Sequence, residues 1–187
     1  ILLGDGEIEL EALQVSKYEV KCRVIVGGIL GSHKGIHFPR SSLNIRALTH
    51  DDKEDLAFGI ANKVDMIALS FVRNARDIIY ARREMHHRGA NIPLIAKIEK
   101  PEALVDIDRI IQEADGLMVA RGDLGVEMPM EQVPLIQKML VRKCINTFKP
   151  VIIEDMDQIR IAFFAGRCDV YTGDSARLYR SEEHTSE

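Results

Sequence analysis

From Thr49 onward the chain repeats one pattern: a polar or amphipathic stretch of helical period, then a short run that is apolar almost throughout. The apolar runs are V-D-M-I-A-L-S-F from Val64, I-P-L-I-A-K-I from Ile92, G-L-M-V-A from Gly116 and K-P-V-I-I from Lys149. They recur roughly every 25 to 35 residues, which is the spacing of strands joined by helical crossovers in a parallel sheet. Strands buried on both faces read as continuous apolar runs, whereas a half-exposed sheet alternates. The intervening segments are expected to be helices over about 51–61, 75–87, 101–114 and 133–146. Thr49 supplies an N-cap to the first, and Asp51 and Asp52 suit its dipole.

Before Thr49 the pattern is different. I-L-L-G-D-G-E-I-E-L and Y-E-V-K-C-R-V-I-V-G-G alternate apolar and polar residues and break at glycines, as antiparallel hairpins do. The expected fold class is therefore α/β, a partial (β/α)8 TIM barrel preceded by the end of a small β-rich unit. A complete barrel of this kind takes about 250 residues, and the chain has 187.

The formal net charge is −4, with both signs interspersed, so no basic stripe offers itself to nucleic acid. Three cysteines, Cys22, Cys144 and Cys168, lack metal-ligand spacing and leave an odd thiol in any pairing scheme, which suits a reducing compartment. No apolar run reaches the roughly 18 residues of a membrane span. Neither nucleic acid nor membrane is an expected partner, and a cytoplasmic location is expected.

The chemistry concentrates in I-A-K-I-E-K at Ile95–Lys100 and M-V-A-R-G-D-L-G-V-E at Met118–Glu127. Lys97 and Glu99 are two apart on a strand-like run and project from one face. Asp123 follows the next run, where a neighbouring strand would end, and active sites of such barrels sit at those strand ends. Two carboxylates suit Mg²⁺, which completes its octahedron with water and substrate oxygens, and the lysine suits a charged transferring group. Arg121-Gly122-Asp123-Leu124-Gly125 reads as a turn whose backbone N–H groups could face an anion. A surface lysine–glutamate pair and a turn that merely requires glycine are the competing readings. His33 and His37 flank a lysine-glycine turn and read as loop residues.

In order along Ile1 to Ile153, the blocks L-L-G-D-G-E-I-E-L, G-G-I-L-G-S-H-K-G-I-H-F-P, L-T-H-D-D-K-E-D-L, V-D-M-I-A-L-S-F-V-R, I-A-K-I-E-K and D-G-L-M-V-A-R-G-D-L-G-V-E-M-P resemble the pyruvate kinases. The resemblance implies phosphoryl transfer from phosphoenolpyruvate to ADP, giving pyruvate and ATP in glycolysis, with Mg²⁺ or Mn²⁺ and usually K⁺. It implies that 1–38 is the C-terminal part of the lid (B) domain and 39–153 the central part of the barrel (A) domain. Lys97 matches the family's catalytic lysine, and Glu99 and Asp123 match its metal carboxylates. The amides of Gly122 and Asp123 match those that hold the substrate carboxylate. Phe71 matches a phenylalanine of the substrate pocket, with an ordinary core phenylalanine as the alternative.

The family's asparagine-phenylalanine-serine-histidine-glycine and D-T-K-G-P motifs, which supply K⁺ ligands and a substrate-binding arginine, have no counterpart in this sequence. Glu154-Asp155-Met156-Asp157 stands where the family has alanine-threonine-glutamine-methionine, whose threonine serves substrate and proton transfer. Gly4, His37 and Arg40 also depart from the family pattern. Residues 154–187 carry no resemblance and are expected to be a spurious or disordered tail; Arg180–Glu187 matches the in-frame translation of a sequencing adapter, with a natural polar tail as the alternative. The chain is accordingly expected to be inactive by itself, although the family is usually homotetrameric and active. A Mg²⁺-dependent lyase of the phosphoenolpyruvate/pyruvate barrel group and a non-catalytic truncated binding protein remain as alternatives.

Overall fold

The computed structural model describes the chain except for residues 5, 33, 40–47, 155–158, 165–167, 173–177 and 181–187, and describes the backbone alone over the remainder of 154–180. His33, Arg40, Asp155, Met156, Asp157 and the stretch from Ser181 to Glu187 therefore lie outside the described residues.

The first sheet is antiparallel and has four strands. β1 (Leu2–Leu3), β2 (Ile8–Val15), β3 (Val20–Val26) and β4 (Ile36–His37) lie in the order β3-β2-β1-β4. The β2–β3 hairpin closes through Ser16, whose N–H donates to the Glu19 carbonyl at 2.8 Å and whose hydroxyl accepts from the Glu19 N–H at 3.1 Å. The expected alternation is present, and register shifts between Glu9/Leu10 and Ala12/Gln14 interrupt it, as bulges do.

The second unit is mixed. After α1 (His50–Ala61) come β5 (Ile67–Leu69), α2 (Ala75–His87), β6 (Leu94–Ile98), α3 (Glu102–Val105), α4 (Ile107–Glu113), β7 (Gly116–Ala120), α5 (Arg121–Glu127), a 3-10 turn (Met130–Gln132), α6 (Val133–Asn146) and β8 (Val151–Glu154). β5, β6, β7 and β8 pair in parallel and in sequence order. β9 (Ile159–Phe164), β10 (Cys168–Thr172) and β11 (Leu178–Arg180) continue the same sheet by antiparallel pairing. The sheet is open among the described residues, running β11-β10-β9-β8-β7-β6-β5 with β5 at one edge.

Local chemistry explains the element ends. Thr49 and Asp52 form a reciprocal capping box: the Asp52 carboxylate accepts from the Thr49 N–H at 2.7 Å, and the Thr49 hydroxyl accepts from the Asp52 N–H at 3.2 Å. Asn74 caps α2 by accepting from the Arg76 N–H at 3.0 Å. Gly116 must be glycine for packing, since a Cβ there would lie 2.9 Å from Ile95 Cδ1 and from the Pro150 carbonyl oxygen. β6 and β7 are buried at four of five positions each, which is why their sequences do not alternate.

Two expectations are corrected. The helix expected over 101–114 is broken into α3 and α4 at Asp106. The Asp106 carboxylate turns away to accept from the Ala75 N–H at the start of α2, at 2.8 Å, and a side chain that engages backbone elsewhere competes with its own helix. The Arg121–Gly125 segment is no turn: it is the opening of α5, which begins immediately after β7. Neither Gly122 nor Gly125 takes a positive φ, so no turn geometry demands them.

Candidate active site

Lys97 and Glu99 lie at the C-terminal end of β6, and Asp123 lies in the first turn of α5, just past the end of β7. Register brings these ends together, because Lys97 is level with Met118 and Ile98 with Val119. Glu99 thus leaves β6 beside Ala120, where β7 passes into the helix.

Lys97 Nζ and Glu99 Oε1 are 2.7 Å apart, so the same-face projection is a direct ion pair. The Glu99 side chain is only 2% exposed and that of Lys97 is 20% exposed. Glu99 Oε2 accepts from the Phe71 backbone N–H at 3.0 Å. Burial pushes the Glu99 carboxyl above its ordinary range; Lys97 and the Phe71 N–H oppose that rise, and the negative charge of Asp123 adds to it. Loss of water and a second negative charge both disfavour the ionised form of Glu99, and Lys97 offsets them only in part.

Phe71 holds its place through an uncommon backbone. Its φ is +54°, a left-handed conformation that costs a non-glycine residue on the order of 1 kcal/mol or more. That conformation aims its N–H at Glu99. The side chain is 56% exposed, so Phe71 is not an ordinary core phenylalanine. It helps line a cavity of about 640 Å³ that runs along all three residues of β5, with apolar side chains such as Leu48, Leu56 and Met85 on its wall and charged ones such as Asp52, Arg73 and Lys100 beside them. Lys97, Glu99 and Asp123 do not line this cavity. The site is therefore defined by its charges at the strand ends rather than by this cavity.

Gly122 is exposed, and a Cβ on it would meet nothing within 4 Å. It stands with Asp123 in the first turn of α5, where no side chain caps the backbone N–H groups and helix geometry leaves them without intrahelical acceptors.

Among the described residues, no group of three or more His, Cys, Asp or Glu side chains gathers as a metal cage. The donor set is instead one buried and one half-buried carboxylate. That set fits Mg²⁺ or Mn²⁺, which take one or two protein carboxylates and leave other positions to water and substrate, and a cation there would offset the charge deficit at Glu99.

Three further polar residues gather near this site. Glu127 Oε1, at the end of α5, lies 3.0 Å from His37 Nδ1 and also accepts from Lys100 Nζ. The Glu127 and His37 side chains are 4% and 6% exposed, so His37 is a buried, paired residue rather than a loop residue. The four-residue spacing of Asp123 and Glu127 on one helix face could have pointed to Glu127, but it is hidden once that segment is taken as a turn, and His37 and Lys100 carry no comparable signal.

A family model of the pyruvate kinase barrel domain matches residues 1–160. Among curated proteins, the chain is 48% identical over 154 residues to pyruvate kinase 2 of Synechocystis sp., covering 81% of this chain and 26% of that protein. It is 48% identical over 155 residues to the pyruvate kinase of Geobacillus stearothermophilus, covering 81% and 26%. Against a pyruvate kinase of Agrobacterium vitis it is 49% identical over 153 residues, covering 82% and 32%. The chain spans roughly a quarter to a third of the length of these curated relatives. A barrel-domain family model that matches residues 1–160 and close to half of all aligned positions identical make this chain a member of the pyruvate kinase family.

Proposed function

We propose that this chain carries the metal-binding and phosphoryl-binding part of a pyruvate kinase, which transfers the phosphoryl group of phosphoenolpyruvate to ADP and yields pyruvate and ATP. The observation that carries the reading is the ion pair of Lys97 with the buried Glu99 at the end of β6, next to the end of β7 from which Asp123 follows in α5. Glu99 and Asp123 would hold Mg²⁺ or Mn²⁺; bound there, the cation supplies positive charge against substrate oxygens. Lys97 is the catalytic lysine. Its ammonium leaves Glu99 for the substrate side and stabilises charge on the phosphoryl group in flight and on the enolate oxygen left behind.

The first-turn amides of Gly122 and Asp123 bind the substrate carboxylate, and Gly122 suits this because nothing crowds its exposed face. Phe71 acts twice: its N–H orients Glu99, and its exposed ring forms part of the substrate pocket wall. No residue of this chain is assigned to K⁺ or to ADP.

The same reading takes residues 1–38 as part of the lid domain and 39–153 as part of a (β/α)8 barrel. Support for the barrel comes from four parallel strands in sequence order, with β5 at an edge of the sheet. Residues 154–187 are taken as extraneous to the catalytic unit. By itself the 187-residue chain is proposed to be inactive, in keeping with the quarter to a third of the relatives' length that it spans. A cytoplasmic location accords with the glycolytic reaction and with the free thiols of Cys22 and Cys144.

The test is a graft of residues 1–153 into the corresponding segment of the Geobacillus stearothermophilus enzyme. The chimera is expected to form pyruvate in an ADP-dependent reaction, and Lys97→Met is expected to lower kcat by about a hundredfold or more, the scale of losing one preorganised charge-stabilising group. A folded, active chimera that is indifferent to Lys97→Met would overturn the assignment.

A further inference from the structure

Glu127 is buried yet takes no part in the chemistry proposed above. It meets three elements: it closes α5, accepts from Lys100 just past β6, and contacts His37 on β4. Burying ionisable groups is costly unless they are paired, and here the pairing spans the sites where the metal carboxylates are mounted. Glu99 and Lys100 are consecutive beyond β6, while Asp123 and Glu127 share a face of α5. The same two segments that carry Glu99 and Asp123 are thus joined by the ion pair of Lys100 with Glu127. The β-rich sheet also rests on this end of α5, since a Cβ on Gly6 would lie 3.6 Å from the Val126 side chain.

We infer that Glu127 is a positioning residue for the metal carboxylates: its ion pair with Lys100 holds α5, which carries Asp123, to the end of β6, which carries Glu99, and its contact with His37 ties that arrangement to the β-rich sheet. The inference rests on the metal site proposed above. α5 has only seven residues, so a fixed point at its far end sets the direction of Asp123 one turn earlier.

The test is Mn²⁺ titration of the 187-residue chain by electron paramagnetic resonance, with thermal melts to keep every measurement in the folded range. Plain electrostatics predicts opposite signs: Glu127→Gln removes a negative charge and weakens cation binding, while Lys100→Met removes a positive charge and tightens it. Positioning predicts that both weaken it, by about tenfold, as loss of an outer-shell partner does. If Glu127→Gln does not fold, Lys100→Met decides by itself, because it leaves the Glu127–His37 contact in place. Wild-type binding with Lys100→Met equal or tighter would overturn the positioning role and leave the metal site standing. Absence of Mn²⁺ binding in the wild type would overturn both.

Discussion

Glu99 is the residue on which the site turns, and its burial makes a testable demand on stability. Because the folded state raises its carboxyl above the ordinary value of 4.5, the folded metal-free chain retains the proton more strongly than the unfolded chain does. Its contribution therefore becomes less favourable as pH rises from that value through the raised one. Glu99→Gln removes the effect, so the melting temperature of wild type minus that of Glu99→Gln is expected to fall between pH 4.5 and pH 7 without metal. Adding Mn²⁺ at pH 7 should raise the wild type alone. A difference that stays constant across this range would contradict the burial argument. The common face of Lys97 and Glu99 was legible in the sequence because strand period fixes it, and so was the place of Asp123 just past the next strand. The Glu127–Lys100–His37 cluster was not, since it joins residues 27 and 90 positions apart. The positive φ of Phe71 has no composition signature either.

At the scale of elements, side chains that leave their own segment do much of the joining. Asp106 interrupts its helix to cap α2, and Asp106→Ala is expected to cost about 1 kcal/mol in urea unfolding, the usual worth of a helix cap. Asp115 accepts from the Leu94 N–H at 2.8 Å and from Arg82 at 2.9 Å, tying α2 to the start of β6. Burial acts against its charge, but the Leu94 N–H and Arg82 outweigh that and hold its carboxyl below the ordinary range. Its stabilising effect is thus present above the ordinary carboxylate range and lost as pH falls through the lowered value. Asp115→Asn should cost about 1 kcal/mol at pH 7, given its partial exposure, and less near pH 3; equal costs at both would refute the account. The apolar runs revealed β5, β6, β7 and β8, and the capping residues revealed α1. The α3–α4 break and the helical start of α5 escaped because each depends on a partner distant in sequence or on backbone geometry that glycine permits without requiring.

For the whole molecule, one apolar core joins the parallel strands to α1, α2, α4 and α6, and it encloses Cys144, which is 0% exposed. Burial pushes that thiol up to about 12, against a small opposing effect of Lys149. Cys144 should resist alkylation at pH 8 in the folded chain and react on unfolding, as mass mapping of the modified peptide would record; rapid native labelling would mean that the core opens. Both sheets meet at α5, so the helix that carries Asp123 also receives the contacts of the β-rich unit at Val126 and Glu127. The most direct test of the central claim, that Glu99 and Asp123 form a divalent-metal site beside Lys97, is a Mn²⁺ titration comparing wild type with Glu99→Gln and Asp123→Asn. The account predicts a single site in the wild type that each substitution weakens at least tenfold; Mn²⁺ affinity unchanged in both folded variants would contradict it.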